Sequence, residues 1–178
     1  FSKFTKERAM VMTEISKDYE LVITRTFEAP RELVWKAVTK PEHLKHWWGP
    51  KGYGMTIVKL DLRPDGVFHY SQTSPDGEEM WGKFVYREVD KPGKLVFTNS
   101  FSDEEGRTVR APFSKTWPLE ILNDWTLTEA DGKTEITMRG TPLTDVEEEI
   151  ATFKEAQSMV KQGFAGTFDQ LADYLTKL

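Results

Sequence analysis

Three histidines, no cysteine and a crowd of aromatic residues bound the chemistry open to this chain. His43 and His46 stand three residues apart. On a helix they would share a face and could hold a metal with His69 or a carboxylate as a third ligand. With no thiolate available, exposed imidazoles are the simpler reading, and no metal and no cofactor are expected. His69 lies between Phe68 and Tyr70 in a strand-like run. A strand alternates faces, so His69 either meets the interior, where it can hydrogen-bond a ligand or shuttle a proton, or meets the exterior and does neither. The inward placement is expected. Asn99, in phase with Phe97, would put an amide among apolar neighbours. His69, Asn99, Arg110, Asp124 and Tyr86 are the candidates for acid–base work, and no spacing assigns them catalytic roles. A Ser-His-Asp arrangement, a nucleophile elbow, a phosphate loop and a dinucleotide fingerprint are all missing from the sequence. Enzymatic activity is therefore the lesser expectation.

The aromatics are the stronger signal. Six Trp and eleven Phe in 178 residues favour a large aromatic interior or a lined pocket. Each aromatic taken alone suits a core. As a set, Trp47, Trp48, Phe68, Trp81, Phe84, Phe97, Phe101, Trp117 and Phe164 exceed what simple packing asks for. Apolar walls carrying a few polar groups are the usual form of a small-molecule site. The expected ligand-binding residues are Trp47, Trp48, His69, Trp81, Phe84, Phe97, Asn99, Trp117 and Phe164. Gly163 and Gly166 flank Phe164 in a helical pattern, and each costs a helix about 1 kcal/mol relative to Ala. Two readings stand: a flexible lid at a cavity mouth, or close packing against a bulky strand residue.

These residues need elements to position them. Residues 20–27 alternate as a half-buried strand does. Pro30 and Pro41 each suit the first turn of a helix, where a missing N–H costs nothing. Two short helices follow, closed by Trp47-Trp-Gly-Pro50. Strands are expected over 55–63, 67–73, 79–89, 95–101, 119–128 and 134–140, parted by Pro, Asp and Gly turns and, at 107–116, by a longer loop. Short connections imply an antiparallel meander. Thr144 and Glu147 have capping-box spacing. Beyond them Ile150, Phe153, Gln157, Val160, Phe164, Phe168, Leu171 and Leu175 share one face of a single long helix.

Arg25-Thr-Phe-Glu-Ala-Pro30, Trp47-Trp-Gly-Pro50, Leu62-Arg-Pro-Asp-Gly66 and the closing segment from Phe164 to Leu175 together resemble the activator-of-heat-shock-ATPase homologue family. That family sits within the START-like (Bet v 1-like, SRPBCC) superfamily. The resemblance spans roughly residues 19–178. It implies an α+β helix-grip fold: a curved antiparallel sheet wrapped around a long C-terminal helix, with two short helices after the first strand. It also implies one cavity between sheet and helix. Many members carry Trp where Phe164 stands, which here keeps an aromatic and removes an indole N–H. Relatives include lipid and hormone binders, polyketide cyclases and aromatases, and co-chaperone domains, so the resemblance leaves the activity open.

Composition narrows the partners. The net charge of −5 argues against nucleic acid and anionic membrane, both of which reward clustered positive charge. No run approaches the roughly 18–20 apolar residues of a membrane span, and the first residues lack the apolar centre of a secretory signal. Having no cysteine fits a reducing, cytoplasmic setting. One domain at 19–178 with an extension at 1–18 is expected, as monomer or dimer. The function expected is a soluble protein that binds a hydrophobic or aromatic small molecule, lipid-like or polyketide-like, between sheet and helix. The alternatives are a co-chaperone-like protein-interaction domain and, less favoured, a cyclase or hydrolase using the same cavity.

Overall fold

The computed structural model describes residues 19–178, so the expected extension at 1–18 lies outside the described residues. The chain opens with β1 (Leu21–Phe27), α1 (Arg31–Thr39) and α2 (Pro41–Trp47). Strands follow as β2 (Gly54–Leu60), β3 (Val67–Thr73), β4 (Glu79–Asp90), β5 (Lys94–Ser102), β6 (Thr108–Val109), β7 (Ile121–Ala130) and β8 (Lys133–Pro142). The last element is α3 (Glu147–Leu175). All strand pairs are antiparallel, in the order β1-β8-β7-β5-β4-β3-β2. This is the helix-grip architecture. Short turns make the meander from β2 to β5 and from β7 to β8, a longer loop carrying β6 links β5 to β7, and β1 joins by long-range pairing with β8.

Turn chemistry explains the tightest reversal. Between β7 and β8 only Asp131 and Gly132 intervene, with φ of 54° and 75°. Two consecutive left-handed residues match the right-handed twist of the strands they join, and Asp-Gly is a favoured pair for that turn. The stretch 107–116, expected to be loop throughout, contains the short β6, which pairs with the end of β5.

The capping box is not formed. Thr144 Oγ1 accepts the N–H of Val146 at 3.1 Å, a local turn that uses the hydroxyl before the helix begins. The helix starts at Glu147, with Val146 at its cap position and no side chain capping it. Glu147, Glu148 and Glu149 then place negative charge on its first turn, where the helix dipole favours it.

At 29 residues α3 is about 43 Å long. It lies on the concave face of the sheet, whose inward residues include Phe27, Phe68, Phe84, Phe97, Trp125 and Ile136. The helix is anchored at both ends. Near the start, Glu149 pairs with Arg110 at 3.3 Å and Phe153 lies against Trp117. Toward the end, Phe168, Leu171 and Leu175 are buried, Asp169 meets Arg25 at 2.6 Å, and Gln170 donates to the carbonyl of Gly49 at 2.9 Å. Among the described residues no helix is long and apolar enough to cross a membrane.

Trp47 holds the two short helices together. The Ala37 carbonyl would ordinarily accept the N–H four residues on, which here belongs to Pro41 and does not exist. The indole N–H of Trp47 fills the vacancy, donating to the Ala37 oxygen at 2.8 Å while its ring is 1% exposed. Trp47→Phe leaves that buried carbonyl unpaired, and a loss of about 1–3 kcal/mol is expected. Denaturant unfolding of the two proteins measures it, and equal stability would show that the bond contributes nothing.

Candidate functional site

The two ends of α3 are fixed; between them the helix packs only in part, tied just ahead of β1 by Gln157, which donates to the Tyr19 carbonyl at 2.6 Å. From Lys154 to Gly166 no residue is fully buried, and Val160 and Phe164 are only half-buried. Beneath and beside them the inner face of the sheet is incompletely covered. One recess of about 70 Å³ is walled by Leu21, Ile23, Ile121 and Met138 of the strands and by Phe153, Val160 and Phe164 of the helix. A groove of about 340 Å³ runs from Trp48, Gly49 and Pro50 past Tyr70 and Met80 to Gly163 and Thr167. A second groove, about 470 Å³, lies between the loop Phe113–Trp117 and the helix residues Thr152, Ala156 and Met159. All three share Val160, so they meet under the middle of α3.

Local bonding fixes the rim. Arg110, besides pairing with Glu149, donates to the Trp117 carbonyl at 3.2 Å. The Thr152 hydroxyl meets that of Thr116 at 2.8 Å. The loop is thereby tied to the first turns of α3. Its tip, Phe113, is 64% exposed and rests edge-on against Phe101, while Met159 opposite is 68% exposed. Two large apolar side chains thus stand at the groove mouth.

The expected site residues divide into three groups. Trp48, Asn99, Trp117 and Phe164 line the hollow. Trp47, Phe84 and Phe97 do not; they are core. Phe84 and Phe97 stack at 4.2 Å deep in the aromatic cluster, and Trp47 is held by its bond to Ala37. His69 and Trp81 are on the outer face, contrary to the inward expectation. Phe68 and Tyr70 point to the core and His69 alternates with them, tilted against Trp81 with ring centroids 5.1 Å apart. The β5–β6 hairpin folds over this outer pair. His69 Nε2 lies 3.1 Å from the Asp103 carbonyl, and Lys83 Nζ donates to the Gly106 carbonyl at 2.9 Å. Trp81 borders a pocket of about 60 Å³ whose walls Tyr70, Gln72, Met80 and Phe101 it shares with the groove of about 340 Å³, but it lines neither groove nor the recess.

The other candidates also find places. Asp124 shares the outer face with its cross-strand neighbour Arg139. Tyr86 is buried, and loss of solvent pushes its phenol pKa upward. Burial likewise raises Tyr70 to about 12, partly offset by the indole of Trp48, so both phenols stay neutral across the physiological range. His43 and His46 are taken up by Tyr174. Its hydroxyl lies 2.6 Å from His43 Nδ1, and its ring stacks on His46 at 5.1 Å. Among the described residues no group of three or more His, Asp or Glu could hold a metal ion.

The sequence reading missed Asn123. It sits in phase with Trp125 on β7 and lines the recess beside Asn99, so the alternation that singled out Asn99 would have found it too. Phe113 and Met159 were missed because nothing in a sequence says which loop folds back upon which helix.

A curved antiparallel sheet holding one long helix, with two short helices after the first strand, has counterparts among known proteins. The family described as "Activator of Hsp90 ATPase homolog 1-like protein" matches residues 28–176. This chain belongs to that family. Among solved structures, protein Ms6760 from Mycobacterium smegmatis is 31% identical, with 91% of this chain and 94% of that one aligned at a TM-score of 0.74. A protein from Arthrobacter aurescens shares the fold at 24% identity, covering 92% and 89% of the two chains at a TM-score of 0.76. One from Staphylococcus epidermidis does so at 24%, covering 89% and 90% at 0.74. No curated protein matches the chain. Family membership agrees with the resemblance carried by the Trp47–Pro50 corner and the closing helix.

Two outcomes follow from this geometry. A Cβ built on Gly163 meets nothing within 4 Å, which removes the close-packing explanation for this glycine. Gly163→Ala should therefore stabilise the protein by about 1 kcal/mol through helix propensity alone, read as a higher urea midpoint; a loss would show hidden crowding. The second outcome concerns alkali. Tyr70 has its folded pKa above its unfolded value of about 10, so its contribution is complete below pH 10 and is lost as pH rises toward 12. Stability should fall across that window, and less steeply in Tyr70→Phe, as pH-dependent unfolding would reveal.

Proposed function

We propose that residues 19–178 act as one binding unit for an apolar or aromatic small molecule held under the middle of α3. The observation that carries this reading is the helix itself: anchored at both ends, only half-packed between them, above walls that are almost wholly apolar. A domain with no use for that space would close it, because interiors favour close packing. The two grooves fall in the size range of small-molecule sites, about 300–1,000 Å³. The candidate bases His69 and Asp124 stand on the opposite face of the sheet, and Arg110 is engaged by Glu149, which favours binding over acid–base catalysis. A sequence without cysteine suits a reducing, cytoplasmic setting.

A second reading rests on Phe113 and Met159. Large, exposed apolar side chains facing each other across a groove also suit a protein partner, in the manner of an interaction domain.

A thermal-shift screen against fatty acids, sterols, flavonoids and simple aromatic acids separates the two. A ligand at a hundred times its Kd adds about 2.7 kcal/mol, a rise of roughly 5–10 °C for a domain of this size. The rise should be saturable, lost in Phe164→Ala and kept in Trp81→Ala, whose indole is on the outer face. A panel that leaves the melting temperature unmoved would sink the small-molecule reading and favour the partner.

A further inference from the structure

The recess under α3 has a polar spot whose hydrogen-bonding polarity can be worked out. Asn123 is 8% exposed, and its Nδ2 lies 3.2 Å from the Ile121 carbonyl and 2.7 Å from Asn99 Oδ1. A backbone carbonyl only accepts, so the Asn123 atom facing it must be the NH2 group. The Asn99 atom facing that same NH2 must then be its oxygen. Both N–H bonds of Asn123 are used, and both amide orientations are fixed by one backbone oxygen. Among the described residues, what remains without a partner is the Asn99 NH2, a donor, and Asn123 Oδ1, an acceptor. Both side chains line the recess.

We infer that the hollow selects a neutral ligand carrying a hydrogen-bond acceptor and a donor on one edge of an apolar, flat body, the pattern of a carboxamide or lactam. The acceptor faces Asn99 Nδ2 and the donor faces Asn123 Oδ1. The body runs outward beneath Val160 and Phe164, along the groove of about 340 Å³ that shares both residues with the recess. An anion fits poorly. No Lys or Arg stands on the recess wall, and the Asn123 oxygen would oppose a carboxylate that has given up its water. A purely apolar ligand fits poorly as well, since it covers two polar groups and pairs neither. Sites built to bond a polar group discriminate strongly against analogues lacking it.

This inference rests on the hollow being a ligand site, and the experiment separates the two claims. Binding of 2-naphthamide, 2-naphthoate and 2-ethylnaphthalene is measured at pH 7 by calorimetry and tryptophan quenching, with the neutral dye Nile red as a general apolar probe. In the wild-type protein 2-naphthamide should bind at least tenfold tighter than either analogue. In Asn99→Leu and Asn123→Leu, each checked for a native circular-dichroism spectrum, that preference should disappear while 2-ethylnaphthalene binds as well or better. Should either variant fail to fold, the wild-type preference still decides. Equal affinities for the three naphthalenes, or a preference for the carboxylate, would overturn the inference and leave the small-molecule reading standing. The same holds if the general probe binds and none of the naphthalenes does. If nothing binds, the general probe included, both claims fall.

Discussion

One mismatch of dimensions governs this fold. Seven strands side by side, at about 4.8 Å spacing, make a sheet about 29 Å across, while a helix with its side chains is about 10–12 Å thick. A single helix cannot cover that face even when the sheet curls toward it. The chain adds cover from two directions: α1 and α2 at one end, and the loop running into Trp117 at the other. Each cover is secured by a contact that sequence distance makes expensive to form, such as Gln170 to the Gly49 carbonyl and Arg110 to Glu149. The hollow is the space where these covers meet without closing.

Most of the architecture could be read from local chemistry. Pro30 and Pro41 mark the helix starts, Asp131 and Gly132 the tight hairpin, and the apolar repeat from Ile150 to Leu175 the long helix. These signals survive because each is a constraint on the backbone within a few residues. Side-chain assignment was harder wherever both faces of a strand are covered. On β3 the residues Phe68, His69, Tyr70 and Ser71 are all buried, because the β5–β6 hairpin covers the outer face as the core covers the inner one. Alternation of burial vanishes there, but alternation of polarity does not: with Phe68 and Tyr70 facing the core, the period of two puts His69 and Ser71 on the hairpin side, against the inward expectation.

Adjacent tryptophans make the same point differently. Trp47 ends α2 and is consumed by an unpaired helix carbonyl, whereas its neighbour Trp48 turns toward Phe84, Trp125 and Phe164 and reaches the hollow. Composition sees two equal indoles. Their division of labour comes from a proline six residues earlier that removed one N–H. Asn123 had the opposite problem: its phase was legible, but its value lies in the partner on β5 that register brings beside it.

The way α3 is held has a bearing on how such a domain can diversify. Its grip on the sheet resides mainly in its first turns and in the run from Thr167 onward, with Gln157 bonded to the Tyr19 carbonyl between them, so most of the intervening turns serve chiefly as walls. Substitutions at Ala156, Met159 or Gly163 reshape the space below with small effect on whether the chain folds. Holding the helix in place and shaping the hollow fall largely to separate stretches of it. A lineage of such proteins can therefore vary the space under the helix by drift along those few turns, keeping a working scaffold at each step.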